Sequence, residues 1–227
     1  MPEKEWITIS VGGSLLNDGK PNAKMAKSLA SIFKASKKNL AITVGGGKEA
    51  RIAAEAARKK TGSEFDADVA GIKITHKNAE ALRKALGPGA GKKISLTFEQ
   101  AIKSAKTQKY LIMGGTIPGI TTDADAALLA EALGSKTLIN LSKTAIYGSD
   151  PSKNPQAKKF SRLSYSELMS LAASSDQRKA GTNFIFDLLA CSLISRSKIK
   201  AHFIDGRNLE EVKKAIEGKP HSGTIVG

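Results

Sequence analysis

The chain has 227 residues, 41 % hydrophobic and 25 % charged, with 36 Lys and Arg against 21 Asp and Glu, a formal net charge of +15. That is enough chain to bury a real core as one large α/β domain or two small ones. It excludes a disordered polymer, and no apolar run approaches the ~18 residues of a membrane span. A single cysteine, Cys191, excludes an internal disulfide, and Met1 to Trp6 lacks the basic and apolar regions of a signal peptide, so a reduced, cytoplasmic protein is expected. The positive charge would suit an anionic partner, but the lysines come as scattered pairs (37–38, 59–60, 92–93, 158–159, 213–214) and aromatic residues make up only 5 %. Specific nucleic-acid binding is therefore not expected.

In chain order, Trp6 to Val11 is a β-branched strand that runs into Gly12-Gly13-Ser14. A glycine pair after a strand either cradles a phosphate with its N–H groups or simply turns the chain. Residues 22 to 36 carry apolar side chains at helical spacing. The same grammar then repeats: strand Asn39 to Val44, glycines 45 to 47, and an Ala-rich helix from Lys48 to Lys60 bearing Arg51. Two such units predict parallel strands joined by crossover helices. The P-loop pattern is absent. Gly45 to Ala50 satisfies the loose dinucleotide pattern, but residues 62 to 71 are not the strand that pattern requires.

A helix is expected from residue 72 to Leu86, ended by Gly87-Pro88-Gly89, and Thr97 to Gln100 opens the next. Tyr110 to Met113 is a buried strand, and the helix after it begins near Ala126. The twelve residues between, Gly114-Gly-Thr-Ile-Pro-Gly-Ile-Thr-Thr-Asp-Ala-Asp125, exceed a plain strand-to-helix turn and suit a polar ligand at a helix N-terminus. Asp123 either orients this loop or caps the helix. Strand Lys136 to Leu141, a loop from Ser142 to Pro151 and a capping box at Ser164 to Glu167 follow. Then come a helix from Phe184 to Ser195, in which Phe184 to Leu189 pack, a strand Ile199 to Ile204, a helix from Asn208 and a short strand Gly223 to Val226. His76, His202 and His221 have no metal-ligand spacing. The fold class expected is α/β, a three-layer α/β/α sandwich around a mainly parallel sheet, in one domain spanning 1–227.

These landmarks carry a resemblance. Gly12-Gly13-Ser14, Val44 to Arg51, Gly114 to Asp123, Tyr147…Asp150-Pro151, Ala180 to Asn183…Asp187, Ile204 to Arg207 and His221 to Ile225 together resemble the amino acid kinase family, in its archaeal uridylate kinase branch, over nearly the whole chain. The resemblance implies γ-phosphoryl transfer from ATP to UMP, with Mg²⁺ as cofactor held mainly by phosphates and no dedicated protein metal site. It implies an acceptor half at about 1–134 and an ATP half at about 135–227. On the ATP side it implies Gly12, Gly13, Ser14, Gly47, Arg51, Ser142, Tyr147 and Asp150. On the UMP side it implies Gly46, Asp68, Thr116, Ile117, Pro118, Gly119, Ile120, Thr121 and Thr122, with Arg51 and Asp123 as the catalytic candidates. A homohexamer is likewise implied.

One departure stands out. Ser142 to Tyr147 lacks the Asp and Gly usual in that family loop and is one residue short, which predicts altered handling of the triphosphate. Three rivals remain: a non-catalytic nucleotide-binding sensor with this fold, a kinase of another small phosphorylated acceptor, and a basic nucleic-acid-binding protein.

Overall fold

The computed structural model describes residues 4–149, 154, 156–175 and 186–227, with side chains 174 and 175 left aside. Its strands are β1 (Trp6–Val11), β2 (Asn39–Val44), β3 (Tyr110–Met113), β4 (Thr137–Ser142), β5 (Arg162–Leu163), β6 (Lys200–Asp205) and β7 (Thr224–Val226). Its helices are α1 (Gly13–Leu16), α2 (Ala23–Ala35), α3 (Gly47–Thr61), α4 (Glu64–Leu86), α5 (Phe98–Ala105), α6 (Thr122–Ala132), α7 (Tyr165–Ser175), α8 (Leu188–Arg196) and α9 (Leu209–Ile216).

The strands form one sheet in the order β3-β2-β1-β4-β6-β7-β5, parallel throughout except where β7 runs against β6. Buried on both faces, the central strands are near-continuous apolar runs, as parallel strands must be. Ile9, Val11, Leu40, Ile42, Ile139 and Leu141 pack under α2, α4 and α9. The alternate residues Leu138, Ala201 and Phe203 pack under α6, α7 and α8. The result is the expected three-layer sandwich, with α3 resting on α4 rather than on the sheet, so that Ala54 is its only buried residue.

Side-chain caps fix where most helices start. Asn22, Ser63, Thr97, Thr121, Asp187 and Asn208 each accept a backbone N–H from the first turn of α2, α4, α5, α6, α8 and α9, which stabilises each helix by about 1 kcal/mol. The capping box of α7 is reciprocal, Ser164 N–H donating to Glu167 and Glu167 N–H to Ser164 Oγ.

Three expectations need correction. The helix expected from residue 72 begins at Glu64, because the stretch 62–71, which lacks a strand pattern, is helical from Glu64 on behind the Ser63 cap. The helix expected from Ala126 begins at Thr122, capped by Thr121 and not by Asp123. Finally, the helix expected from Phe184 starts at Leu188: Phe184 and Ile185 lie outside the described residues, Phe186 packs edge-to-face on Phe203 at 5.1 Å, and Leu189 points out, 46 % exposed.

Candidate active site

From β1 the chain moves outward to β2 and β3, then returns across β1 to β4 and β6. The order therefore reverses between β1 and β4. In an open parallel sheet, loops leaving the carboxyl ends of the strands diverge at such a point and leave a crevice where ligands bind. Gly12 closes its floor, donating its N–H to Leu141 O at 2.7 Å.

The two glycine loops meet at this place, backbone against backbone. A Cβ on Gly13 would lie 2.0 Å from the Gly47 nitrogen, and one on Gly47, at φ +68°, 2.1 Å from Asn17 O. Only glycine permits that approach. No backbone carbonyl takes the N–H groups of Gly13, Gly46 or Gly47 among the described residues, so they remain to meet an acceptor. Behind them, the Asn78 amide donates to Gly45 O and Gly46 O, both at 3.0 Å, and Asn17 Nδ2 donates to Asn78 and Glu49. Lys77 completes the network, and its hydrogen bond, with that of Asn17, holds the Glu49 carboxyl below the usual carboxylate range.

The loop 114–121 enters the crevice from the β3 side, cradled by α4. Thr75 Oγ1 accepts the Gly115 N–H at 2.7 Å, and the His76 ring bonds Gly115 O at 2.7 Å. Three carboxylates then hold the loop at three points. Asp125 accepts from Thr116 N and Thr116 Oγ1 at 3.2 and 2.6 Å; Asp68 accepts from Gly119 N at 2.8 Å; and Asp187 accepts from Thr121 Oγ1. Between the clamps, Ile117, Pro118, Gly119 and Ile120 form the loop tip, with Ile117 59 % exposed and Gly119 at φ +88°. Thr122 faces the glycines, its hydroxyl and methyl packed toward Gly45 and Gly115.

Asp123 lies on the floor. Its Oδ1 accepts from Ser10 Oγ at 2.7 Å and from Asn140 Nδ2 at 2.8 Å, spanning β1 and β4 at the reversal itself. Ser10 and Asn140 are paired in register, polar residues on the face that α6 covers. Burial pushes the Asp123 carboxyl up to about 6, with Asp187 adding to the rise and the two hydrogen bonds opposing it. Of the two roles the sequence leaves to Asp123, helix capping is thus excluded by geometry.

On the far side, Ser142 Oγ donates to Thr144 O, and Tyr147 pairs with Lys159 across an antiparallel bridge. Thr224 Oγ1 accepts from Ile146 N at 3.0 Å and donates to Phe160 O at 2.6 Å, so β7 anchors this loop. Asp150 lies outside the described residues, as do Pro151 and residues 180–183. Arg51 is on the first turns of α3, exposed and without a hydrogen bond or ion pair among the described residues. Among those residues no three His, Cys, Asp or Glu side chains converge so as to hold a metal ion. His202 and His221 bond each other at 2.8 Å, away from this crevice on β6 and the turn before β7.

The fold therefore brings Gly12, Gly13, Ser14, Gly46, Gly47 and the 116–123 segment together, with Ser142 at the edge beside Gly12. Ser10, Asn17, Thr75, Asn78 and Asn140 are additional parts that the sequence did not single out, and His76 and Asp125, named there without a role, join them. A faint signal existed for two of them: Ser10 and Asn140 are polar residues inside otherwise apolar strands.

Comparison with known proteins agrees with this architecture. The family model described as Amino acid kinase family matches residues 5–205. Uridylate kinase of Archaeoglobus fulgidus is 39 % identical over 222 residues, 97 % of this chain and 99 % of that protein. Uridylate kinase of Thermococcus kodakarensis is 40 % identical over 223 residues, 97 % and 98 % of the two chains. The crystal structure of the Archaeoglobus fulgidus uridylate kinase superposes with a TM-score of 0.86 at 36 % identity, covering 97 % of this chain and 99 % of that one. That of UMP kinase from Bacillus anthracis, at 20 % identity and a TM-score of 0.78, shares the fold. A crevice at the reversal of a parallel sheet, built from two facing glycine loops and a threonine-rich loop, defines a phosphoryl-handling α/β protein. The chain belongs to the amino acid kinase family.

Proposed function

We propose that the chain is a UMP kinase, transferring the γ-phosphoryl group of ATP to UMP to give UDP and ADP. The observation that carries this reading is the convergence of Gly13, Gly45 and Thr122 in one crevice, in a chain alike over its whole length to proteins called uridylate kinase. A phosphate oxygen of the acceptor attacks the γ-phosphorus while the bond to the β-phosphate oxygen breaks and ADP leaves with that electron pair. Little covalent chemistry is asked of the protein, which positions two anions and offsets their charge.

The free N–H groups of Gly13, Gly46 and Gly47 suit the phosphates, with Gly12 and Ser14 flanking them, and the first turns of α3 add a positive helix end. Arg51, with no partner among the described residues, would swing onto a phosphate as a two-pronged donor. The loop from Thr116 to Thr122 and Asp68 would hold UMP; Ser142, Tyr147 and Asp150 would frame the adenosine. Magnesium, carried by the phosphates, would neutralise charge there, and Asp123 is the floor carboxylate that would face it. The reading extends to a cytoplasmic homo-oligomer, supported by Ile52 and Phe65, which stand 57 % and 65 % exposed on the α3–α4 hairpin. No helix among the described residues is long and apolar enough to cross a membrane.

The test is ADP release from ATP and Mg²⁺ with UMP, CMP, dUMP, AMP and GMP in turn, alongside Thr122→Ala. Turnover with UMP, weakened in the variant, is expected. UMP binding without turnover on any acceptor would sink the kinase in favour of a sensor, and turnover on another acceptor alone would reassign the substrate.

A further inference from the structure

Asp125 is fully buried, with 0 % of its surface exposed, one turn into α6. Its neighbours on that helix, Ala124, Ala126, Ala127 and Leu129, are apolar and equally buried. A carboxylate placed there costs free energy unless hydrogen bonds compensate it. Among the described residues Asp125 has no ion pair, and both of its donors there belong to one residue: Thr116 gives its N–H to Oδ2 and its hydroxyl to Oδ1. A like charge, that of Asp187 at the N-cap of α8, raises the Asp125 pKa further beyond the effect of burial.

The consequence falls on the loop. Thr116 is the first residue after Gly114-Gly115 that carries a functional side chain, and it is half-buried at the loop's entry. With its N–H and O–H both committed, it has only lone pairs to offer. Thr121 is committed as well, donating to Asp187 and accepting from Asp123 N and Ala124 N. Of the three loop threonines, Thr122 alone makes no side-chain hydrogen bond among the described residues, and so keeps a free hydroxyl donor.

We propose that Asp125 is a positioning residue for the acceptor: by taking both donors of Thr116 it fixes the loop's entry and turns Thr116 into an acceptor-only group, one that receives an N–H or O–H of the bound nucleotide. Phosphate contact in this loop then falls to Thr122. The inference rests on the kinase reading above for its substrate, but its binding arm does not need turnover.

Steady-state kinetics and UMP calorimetry without ATP test it, on wild type, Asp125→Asn, Thr116→Val, Thr116→Ser and the Asn/Val double variant. Asp125→Asn and Thr116→Val are each expected to raise the KM and Kd for UMP about tenfold, with the KM for ATP within about twofold. Thr116→Ser, which retains the hydroxyl, is expected to bind as wild type does, and the double variant to be no worse than either single one. Unchanged UMP affinity in folded Asp125→Asn, an equal rise in the KM for ATP, or additive losses in the double variant would overturn it. Should Asp125→Asn fail to fold, the Thr116→Val and Thr116→Ser pair decides on the same criteria. Wild-type binding of UMP without turnover would remove the kinase reading, while the affinities still judge Asp125.

Discussion

Gly13 and Gly47, 34 residues apart in the chain, are in such close backbone contact that a single methyl on the first would fall 2.0 Å from the nitrogen of the second. Neither partner is a side chain that can rotate away. Gly13→Ala is therefore expected to cost about 3 kcal/mol or more of stability, the upper range for overpacking, and to abolish turnover by parting the two phosphate-facing loops. Denaturant midpoints with ATP-analogue calorimetry check both halves; a variant of wild-type stability would show the contact to be looser than described.

Asp123 offers the opposite dissociation of stability from activity. Its carboxyl is pushed up to about 6 chiefly by burial, so ionisation at neutral pH is a cost to the fold. Asp123→Asn is expected to melt no lower than wild type at pH 7.5 and to lose kcat by about a hundredfold or more, as the loss of a preorganised charge does. Melting curves and kinetics at that pH decide it, and kcat near the wild-type value would remove Asp123 from the mechanism.

The histidine pair predicts a pH effect of definite sign. Gly223 N–H donates to His221 Nδ1 at 3.1 Å, which leaves His221 Nε2 to donate to His202 Nδ1. His202 is pushed down to about 4, first by burial, then by His221 and Lys200; Glu211 and Lys214 are the charged groups acting on His221. A depressed pKa contributes stability above the ordinary value of 6.5 and loses it as pH falls toward 4. Wild type should therefore lose more stability between pH 6.5 and 4 than His202→Asn does. Parallel curves for the two proteins would refute the assignment. Asp123 and Asp125, both raised to about 6, work in the other direction and gain stability as pH falls through that value, so the difference between the two proteins is the quantity to read.

Cys191 should be inert. It is 1 % exposed, and its thiol is pushed up to about 12 by burial, then by Asp187 and Asp123. A thiol reagent at pH 8 is expected to label it only after denaturation, with one equivalent per chain; rapid native labelling would mean that α8 opens readily.

Much of the fold is legible in the sequence because its signals are local. The bounds of β1, β2 and β3 follow from β-branched and apolar runs that glycine or polar residues interrupt. The Thr97 cap and the Ser164 capping box open α5 and α7 where the sequence places them, whereas it does not anticipate the caps Ser63, Thr121 and Asp187. Signals failed where tertiary contact overrides local character. In residues 62–71 the sequence shows only the lack of a strand pattern, and the helix appears once Ser63 caps it and α3 packs alongside. Strand β5 is only two residues long and exists because β7 lies beside it.

The sequence by itself determined the order of strands and glycine loops, the alternation that buries a parallel sheet, and the family pattern those landmarks carry. Only the tertiary structure decided what each polar residue in the crevice does. Asp123, Asp125 and Thr121 lie within five residues, all chemically able to cap a helix, and sequence cannot rank them. Folding hands the cap to Thr121, the floor to Asp123 through Ser10 and Asn140, and the loop's entry to Asp125 through Thr116. A hydrogen bond depends on direction and distance across the sheet, and those are fixed only when β1, β4 and α6 have met.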